Sequence, residues 1–309
     1  MNHHKRLPVP LWLPLIIGII AISFSAIFVR WSTAPVSVIA MYRLLLTTLL
    51  MLPFLLRHRE AIACMSVKEW LPLFWSGLAL GVHFLLWMGS LRFTTVASST
   101  SILTLEPVFV LIGAIIVFRQ RTHPLAVASM LTAMVGAIMI GWGDWSFKGV
   151  ALLGDLLSLL GTAAIAVHMI MGKSLVSRIP SFVYSFFVFL FAAIVLAGYN
   201  VVTGIAFTGY SSSDWGIFLL LAVVPTLFGH YLFNWLLNYL RPETVSMSVL
   251  GEPLGASLLA FLLLGESLTW LQAAAGAVLL LGVWMFLRVG EKKPEDALAP
   301  AKKPSGLMS

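Results

Sequence analysis

Apolar residues run along this chain in long stretches, and the charged residues fall almost entirely between them. A helix needs about 20 apolar residues to cross the hydrocarbon of a bilayer. Reading between polar punctuation gives ten such stretches: Leu11–Val29, Val36–Leu56, Leu71–Leu91, Val96–Phe118, Leu125–Trp142, Val150–Met171, Phe182–Val202, Trp215–Tyr239, Val245–Leu264 and Leu268–Leu287. The runs are continuous, with no alternation of apolar and polar positions, so they predict helices and not the strands of a barrel. The expected fold class is all-α, a polytopic membrane protein of ten transmembrane helices, numbered here as spans 1 to 10.

Composition agrees. The 309 residues are 60% hydrophobic and 10% charged, with a mean hydropathy of +0.99. A soluble domain carries about 25% charge, so this chain could not fold around one aqueous-phase core. The net charge of +7 forms no stripe on a soluble face and gives no case for nucleic acid. The single cysteine, Cys64, excludes an internal disulfide and a cysteine-cluster metal site. The apolar run after "MNHHKRLPVP" exceeds the core of a signal peptide and reads as the first span.

Charge also predicts orientation. With the N-terminus in the cytoplasm, 15 of the 19 Lys and Arg fall on inside segments. Arg30, Arg92 and Lys148 fall outside, and Arg43 lies within span 2. Basic residues favour the cytoplasmic side. Both termini are therefore expected in the cytoplasm, in a cytoplasmic (inner) membrane.

The two halves echo each other. Glu106-Pro107 returns as Glu252-Pro253, 146 positions later. "SLRFTTVASS" is answered by "NYLRPETVSM", and "VHFLLW" by "GHYLFNW" one residue out of step. Gly18 and Arg30 match Gly161 and Lys173. The expected domains are a first five-helix repeat over 1–146, a second over 147–290, and a polar cytoplasmic tail over 291–309. Five is odd, so the second repeat should insert upside down. Inverted repeats are the usual build of secondary transporters, with the site near the midplane where they meet.

At this point the chain resembles a known family. "ISFSAIFVRWSTAPVSVIAMYRLLL", "VHFLLWMGSLRFTTVASSTSILTLEPVF" and "FGHYLFNWLLNYLRPETVSMSVLGEPLGASLLAFLLLGESLTW" are similar to the EamA-like branch of the drug/metabolite transporter superfamily, over nearly the whole length. The resemblance implies a ten-helix carrier, commonly an exporter of metabolites or drugs, without a nucleotide-binding domain. The family's Gly-Glu pair after span 9 survives as Gly265-Glu266, whereas Arg119-Gln120 stands after span 4. Glu266 accordingly reads as a loop residue or helix cap.

A charge at mid-membrane costs about 2.5–3.5 kcal/mol on the insertion scale, so ionisable residues inside spans point to function. They are Arg43, His83, Glu106, Asp155, His168, His230 and Glu252. Pro107 and Pro253 remove helix N–H groups and should kink spans 4 and 9 beside Glu106 and Glu252. Each carboxyl either serves a solute pathway or braces the released backbone. His83 and Trp87 share a helix face, as do His230 and Asn234, with Trp235 next door. An aromatic wall with a few polar groups suits a small amphipathic or cationic solute. The candidate pathway is thus Arg43, His83, Trp87, Glu106, His230, Asn234, Trp235 and Glu252, between spans 3, 4, 8 and 9. Arg43 could pair with a carboxylate or with an anionic group of the solute. Asp155 reads as an interfacial cap and His168 as packing.

Trp12, Trp31, Trp70, Trp142, Trp145, Trp215 and Trp270 lie at span ends and read as an aromatic belt. Ser129, Ala133, Ala137 and Gly141 form a small-residue stripe on span 5, for an internal helix contact or a homodimer. The chain has no P-loop and no HExxH motif. No enzyme activity, cofactor or metal is expected. The expected function is a secondary transporter exporting small amphipathic metabolites, amino-acid-like compounds or drugs, with protons as the candidate coupling ion and lipid as the surrounding partner. The alternative within the superfamily is a nucleotide-sugar or phosphorylated-metabolite exchanger, which would favour several deep basic residues. An integral membrane enzyme or lipid-handling protein is more remote.

Overall fold

The computed structural model describes residues 10–119, 122–141, 149–265 and 270–291. Among them every regular element is a helix. Nine helices are long and apolar enough to cross a membrane, and a shorter apolar one begins at Pro124. The order is the one predicted. Span 1 is Trp12–Trp31, span 2 Val36–Leu55, span 3 Val67–Ser90, span 5 Pro124–Gly141, span 6 Val150–Val176, span 7 Ser181–Thr203 and span 10 Trp270–Glu291. Trp142, Trp145, Glu266, Leu268 and the tail beyond Glu291 lie outside the described residues.

Spans 4, 8 and 9 are interrupted. Span 4 consists of Val96–Leu103 and Glu106–Phe118, and span 9 of Pro242–Val249 and Glu252–Leu264. Proline cannot donate to the turn before it but suits the start of a helix. Each chain therefore stops, tightens and restarts at its Glu-Pro pair. The tightening is visible in Leu105 N donating to Ile102 O at 3.0 Å and Gly251 N to Ser248 O at 3.1 Å. The predicted kink takes the form, in each span, of two right-handed turn residues between two α-helical segments.

Span 8 runs Ser212–Leu221 as α-helix, widens to a π-helix over Ala222–Tyr231, and closes with Leu232–Leu236. Pro225 lies within the wide segment. Thr226 Oγ1 donates to Leu221 O at 2.7 Å, and Thr47 Oγ1 of span 2 donates to Ala222 O at 3.1 Å. Side chains thus satisfy carbonyls that the regular ladder would leave bare, as an apolar medium demands.

Helix packing repeats when each span is replaced by the one five further on. Span 3 lies on span 6 as span 8 lies on span 1. The second half of span 4 lies on span 6 as that of span 9 lies on span 1. Spans 5 and 10, 2 and 7, and 4 and 9 pair across the halves. The small stripe of span 5 is the contact with span 10: a side chain at Gly136 would strike the backbone of Leu279, and one at Gly282 that of Ala133. Backbone approach of this kind is what small residues permit in membranes.

Loop contacts are consistent with the span count. Arg30 Nη2 donates to Thr94 O at 2.7 Å, joining the end of span 1 to the loop before span 4. Lys173 Nζ donates to Leu237 O and Leu240 O at 2.7 and 2.9 Å, joining span 6 to the loop before span 9. Thr94 and Leu240 stand 146 positions apart, the offset of the two Glu-Pro pairs. Span 6 continues past the predicted end at Met171 and carries Lys173 to these partners. Trp12, Trp31, Trp215 and Trp270 are exposed at span ends, whereas Trp70 packs against Phe187 and Phe191.

Candidate functional site

The two breaks meet beside a cavity of about 50 Å³. Its polar lining is Ser25, His83, Glu106, His168, His230, Asn234 and Glu252, and its aromatic lining is Phe84, Trp87 and Phe233. A void of that size has room for a few water molecules, whereas sites for drug-sized ligands run to about 300–1,000 Å³. A solute larger than that needs the surrounding spans to part.

Glycine brings the wall together. Gly161 of span 6 leaves the backbone of span 3 so close that an added Cβ would meet Trp87 N at 3.2 Å. Its counterpart Gly18 of span 1 sits against the ring of Phe233 on span 8, at 2.7 Å from a Cβ position. This approach lets His83 Nδ1 donate to Gly161 O at 2.9 Å. A carbonyl only accepts, so Nδ1 carries the hydrogen, and Nε2 of the neutral ring is an acceptor. The His83 and Trp87 rings are 6.1 Å apart and within 4° of parallel.

The other two histidines differ in their ties. His168 Nδ1 is 3.0 Å from Ser76 Oγ, which is 2.8 Å from the Tyr184 hydroxyl. His230, at the end of the π segment, stands edge-on to Phe84 at 5.1 Å. Asn234 Nδ2 donates to Ser185 Oγ at 3.2 Å.

Glu106 and Glu252 are buried, at 4% and 7% exposure. Glu106 Oε1 has no hydrogen-bond partner, and neither has Trp87 Nε1. Both residues line the cavity. Buried polar atoms are nearly always paired in native structures, so an orphan acceptor and an orphan donor on one cavity mark where a ligand could bond.

Arg43 sits behind this wall. It is fully buried, donating from Nε to Thr226 Oγ1 at 2.7 Å and from Nη1 to Ser25 Oγ at 3.0 Å. Its guanidinium lies 4.2 Å from the centre of the Phe84 ring, and Nη2 is unpartnered. Among the described residues no carboxylate lies within ion-pair distance of it, and Glu252 acts on it electrostatically. Among the described residues no cluster of His, Cys, Asp and Glu could hold a metal.

The EamA-like transporter family model matches residues 11–142 and matches again over 152–288. The chain belongs to the EamA-like transporter family. A relative described as an uncharacterized transporter, from Archaeoglobus fulgidus, is 25% identical over 207 residues, 67% of this chain and 72% of that protein. A solved crystal structure superimposes with a TM-score of 0.74 at 16% identity, over 90% of this chain and 96% of the other. That likeness concerns the fold. The double match of the family model agrees with the repeated packing of the two halves.

Within this EamA-like chain the predicted residues divide. His83, Trp87, Glu106, His230, Asn234 and Glu252 come together on the cavity, with Pro107 and Pro253 at the breaks. Trp235 does not join them: its ring packs at 4.8 Å from Tyr239. Asn234 is four residues from His230 and shares its face; the next residue is rotated about 100° away. Asp155 is not a cap but accepts from Ser98 Oγ of span 4 at 2.9 Å. His168, read as packing, lines the cavity as well as bonding Ser76. Spans 1 and 6 also contribute, through Ile22, Ser25, Ile165 and Met169, apolar or small residues that carry no signal of their own within an apolar run. Two further buried carboxyls, Asp214 and Glu243, escaped notice because both sit just outside the predicted spans.

Proposed function

We propose that this EamA-like protein is a secondary transporter that exports small amphipathic metabolites of amino-acid-like chemistry across the cytoplasmic membrane. The observation that carries this reading is the cavity at the paired Glu-Pro breaks, whose lining includes Glu106 and Trp87, two residues with a buried unpartnered atom each, the acceptor Oε1 and the donor Nε1. A solute with an amine and a carboxyl satisfies both, and its apolar body faces Phe84, Trp87 and Phe233. A phosphorylated solute would call for several free cations in the cavity. Arg43 alone is bonded to the lining, through Ser25, and two of its three guanidinium nitrogens are engaged, Nε with Thr226 and Nη1 with Ser25.

The halves are inverted repeats and the termini lie in the cytoplasm, a reading supported by the basic-residue distribution and the odd number of spans per half. Protons are the coupling ion. Glu252 takes a proton on one side of the membrane and releases it on the other, and solute binding biases that step.

Purified protein in liposomes with an imposed pH gradient tests the coupling. Gln keeps the shape and hydrogen bonds of a neutral acid but cannot release a proton. Glu252→Gln should abolish gradient-driven accumulation and spare equilibrium solute exchange. Full pH-driven uptake by Glu252→Gln would eliminate its coupling role.

A further inference from the structure

The turn between spans 1 and 2 and the turn between spans 6 and 7 are built alike. Each ends on a proline with the same backbone, φ −56° and ψ 139° at Pro35, φ −56° and ψ 136° at Pro180. The two are 145 positions apart. The same offset relates "SVKEW", which opens span 3 at Ser66, to "SSSDW", which opens span 8 at Ser211. Glu69 therefore corresponds to Asp214, and Thr33 to Arg178. The aromatic surroundings obey this offset too. Trp215 packs 4.6 Å from Tyr42, and Trp70 packs 4.6 Å from Phe187, each joining the two halves.

The polar contacts to the two turns do not obey it. Asp214 is 3% exposed and grips the first turn: Ser32 Oγ donates to Oδ1 at 2.7 Å, Thr33 N to Oδ1 at 3.0 Å and Thr33 Oγ1 to Oδ2 at 3.1 Å. Arg92 steadies that turn from the other side, donating to Ser32 O and Ala34 O. Both carboxylates accept from the serine that opens their own span, Asp214 from Ser211 Oγ at 2.7 Å and Glu69 from Ser66 Oγ at 3.0 Å, but Glu69 makes no hydrogen bond to the turn between spans 6 and 7, accepting otherwise from Ser66 N at 2.7 Å. Arg178 acts on it electrostatically, but no ion pair joins them. Ser177 is exposed where its counterpart Ser32 is buried, while Arg178 and Thr33 are both exposed. Two elements of like construction are thus caught in two different states, one engaged across the halves and one parted.

We propose that Asp214 and Glu69 are the two latch carboxylates of an alternating-access cycle, Asp214 with Ser32 and Thr33 closing one face and Glu69 with Arg178 closing the other, each made while its counterpart is parted. This rests on the inverted-repeat transport reading above. Both carboxylates stand at the start of a cavity-wall span, one carrying His83 and the other His230. Making one latch draws that span's end onto the opposite half. Inverted symmetry converts the same closure into opening at the far face. A carboxylate meeting several donors makes charge-assisted hydrogen bonds, stronger than neutral ones, and such a bond biases a two-state equilibrium only if it differs between the states.

The test uses full-length protein in which Cys64→Ser removes the native thiol and Ile165→Cys adds a reporter on the cavity wall. An impermeant thiol reagent is applied to each face in right-side-out and inverted vesicles. Asp214→Ala should raise labelling from the face of the span 1–2 turn roughly tenfold, the shift that follows loss of a charge-assisted bond. Ser32→Ala with Thr33→Val should do the same while leaving the cap of span 8 intact. Glu69→Ala and Arg178→Ala should lower labelling from that face, and exchange of the two charges, Glu69→Arg with Arg178→Glu, should restore it. Folded variants of the Asp214 latch that label as the parent does would overturn the proposal, as would silent Glu69 and Arg178 variants. Solute flux in liposomes is read in parallel. Latch-dependent labelling without flux sinks the transport reading alone, and flux with latch-independent labelling sinks this inference alone.

Discussion

Trp87 and Trp235 look like equivalents along the chain, one four and the other five residues after a histidine within a span. Their surroundings separate them. Trp87 is 2% exposed, lines the cavity and holds an unpartnered Nε1, whereas Trp235 packs on Tyr239 away from it. Trp87→Phe keeps most of the ring and removes the donor. It should weaken solute binding about tenfold, the value of one hydrogen bond in a buried site, with thermal stability in detergent little changed. Trp235→Ala should leave solute affinity at the parent value. A binding titration of the two variants checks the contrast; equal losses would mean that the solute reaches the Trp235 face.

At the scale of the element, the ends of spans 4 and 9 show what the family's glycine does. Gly265 caps span 9 with φ 70°, and Arg119 caps span 4 with φ 52°. A left-handed residue at a helix end favours glycine, because a Cβ crowds the following carbonyl. Arg119 is the one non-glycine residue with positive φ among the described residues. Arg119→Gly should raise stability by up to about 1 kcal/mol, and Gly265→Ala should lower it by about as much. Thermal unfolding in one detergent measures both; a destabilised Arg119→Gly would show that the arginine side chain contributes more than its backbone costs. The π segment of span 8 is a second element-level feature. Pro225 announces a disturbance in the sequence, but the compensation by Thr47 and Arg43 comes from span 2 and is visible only in the fold.

For the whole molecule, orientation follows from charge and is checked by labelling. Cys64 is exposed in the loop between spans 2 and 3. Ser212, also exposed, lies at the start of span 8, on the opposite face by span count. In intact cells an impermeant thiol reagent should spare Cys64 and modify the Ser212→Cys variant made in a Cys64→Ser background. The reverse pattern would invert the topology. The same scale explains the small cavity. Both Glu-Pro breaks and three histidines converge on about 50 Å³, and closely apposed glycines hold the wall spans together there. Passage of a solute therefore requires rigid units to move apart, the hinge and shear repertoire of transporters.

Span number, helical class and the doubling of the chain were legible without coordinates, because a bilayer imposes length and apolarity on each crossing and because Glu106-Pro107 and Glu252-Pro253 are visible as a pair. Most of the cavity wall was legible too, since charge and imidazole inside apolar runs are expensive and therefore conspicuous. Tertiary structure alone decided which of these groups face one another. Helical phase excluded Trp235, and the approach of span 6 brought His168 into the wall. Packing of spans 1, 2, 3 and 8 placed Arg43 behind the cavity. It also buried Asp214 under the span 1–2 turn while leaving Glu69, its counterpart at the start of span 3, turned back on Ser66. Local sequence fixes a residue's helix and face, but a hydrogen bond between residues 182 positions apart, such as Ser32 with Asp214, depends on how two halves are docked.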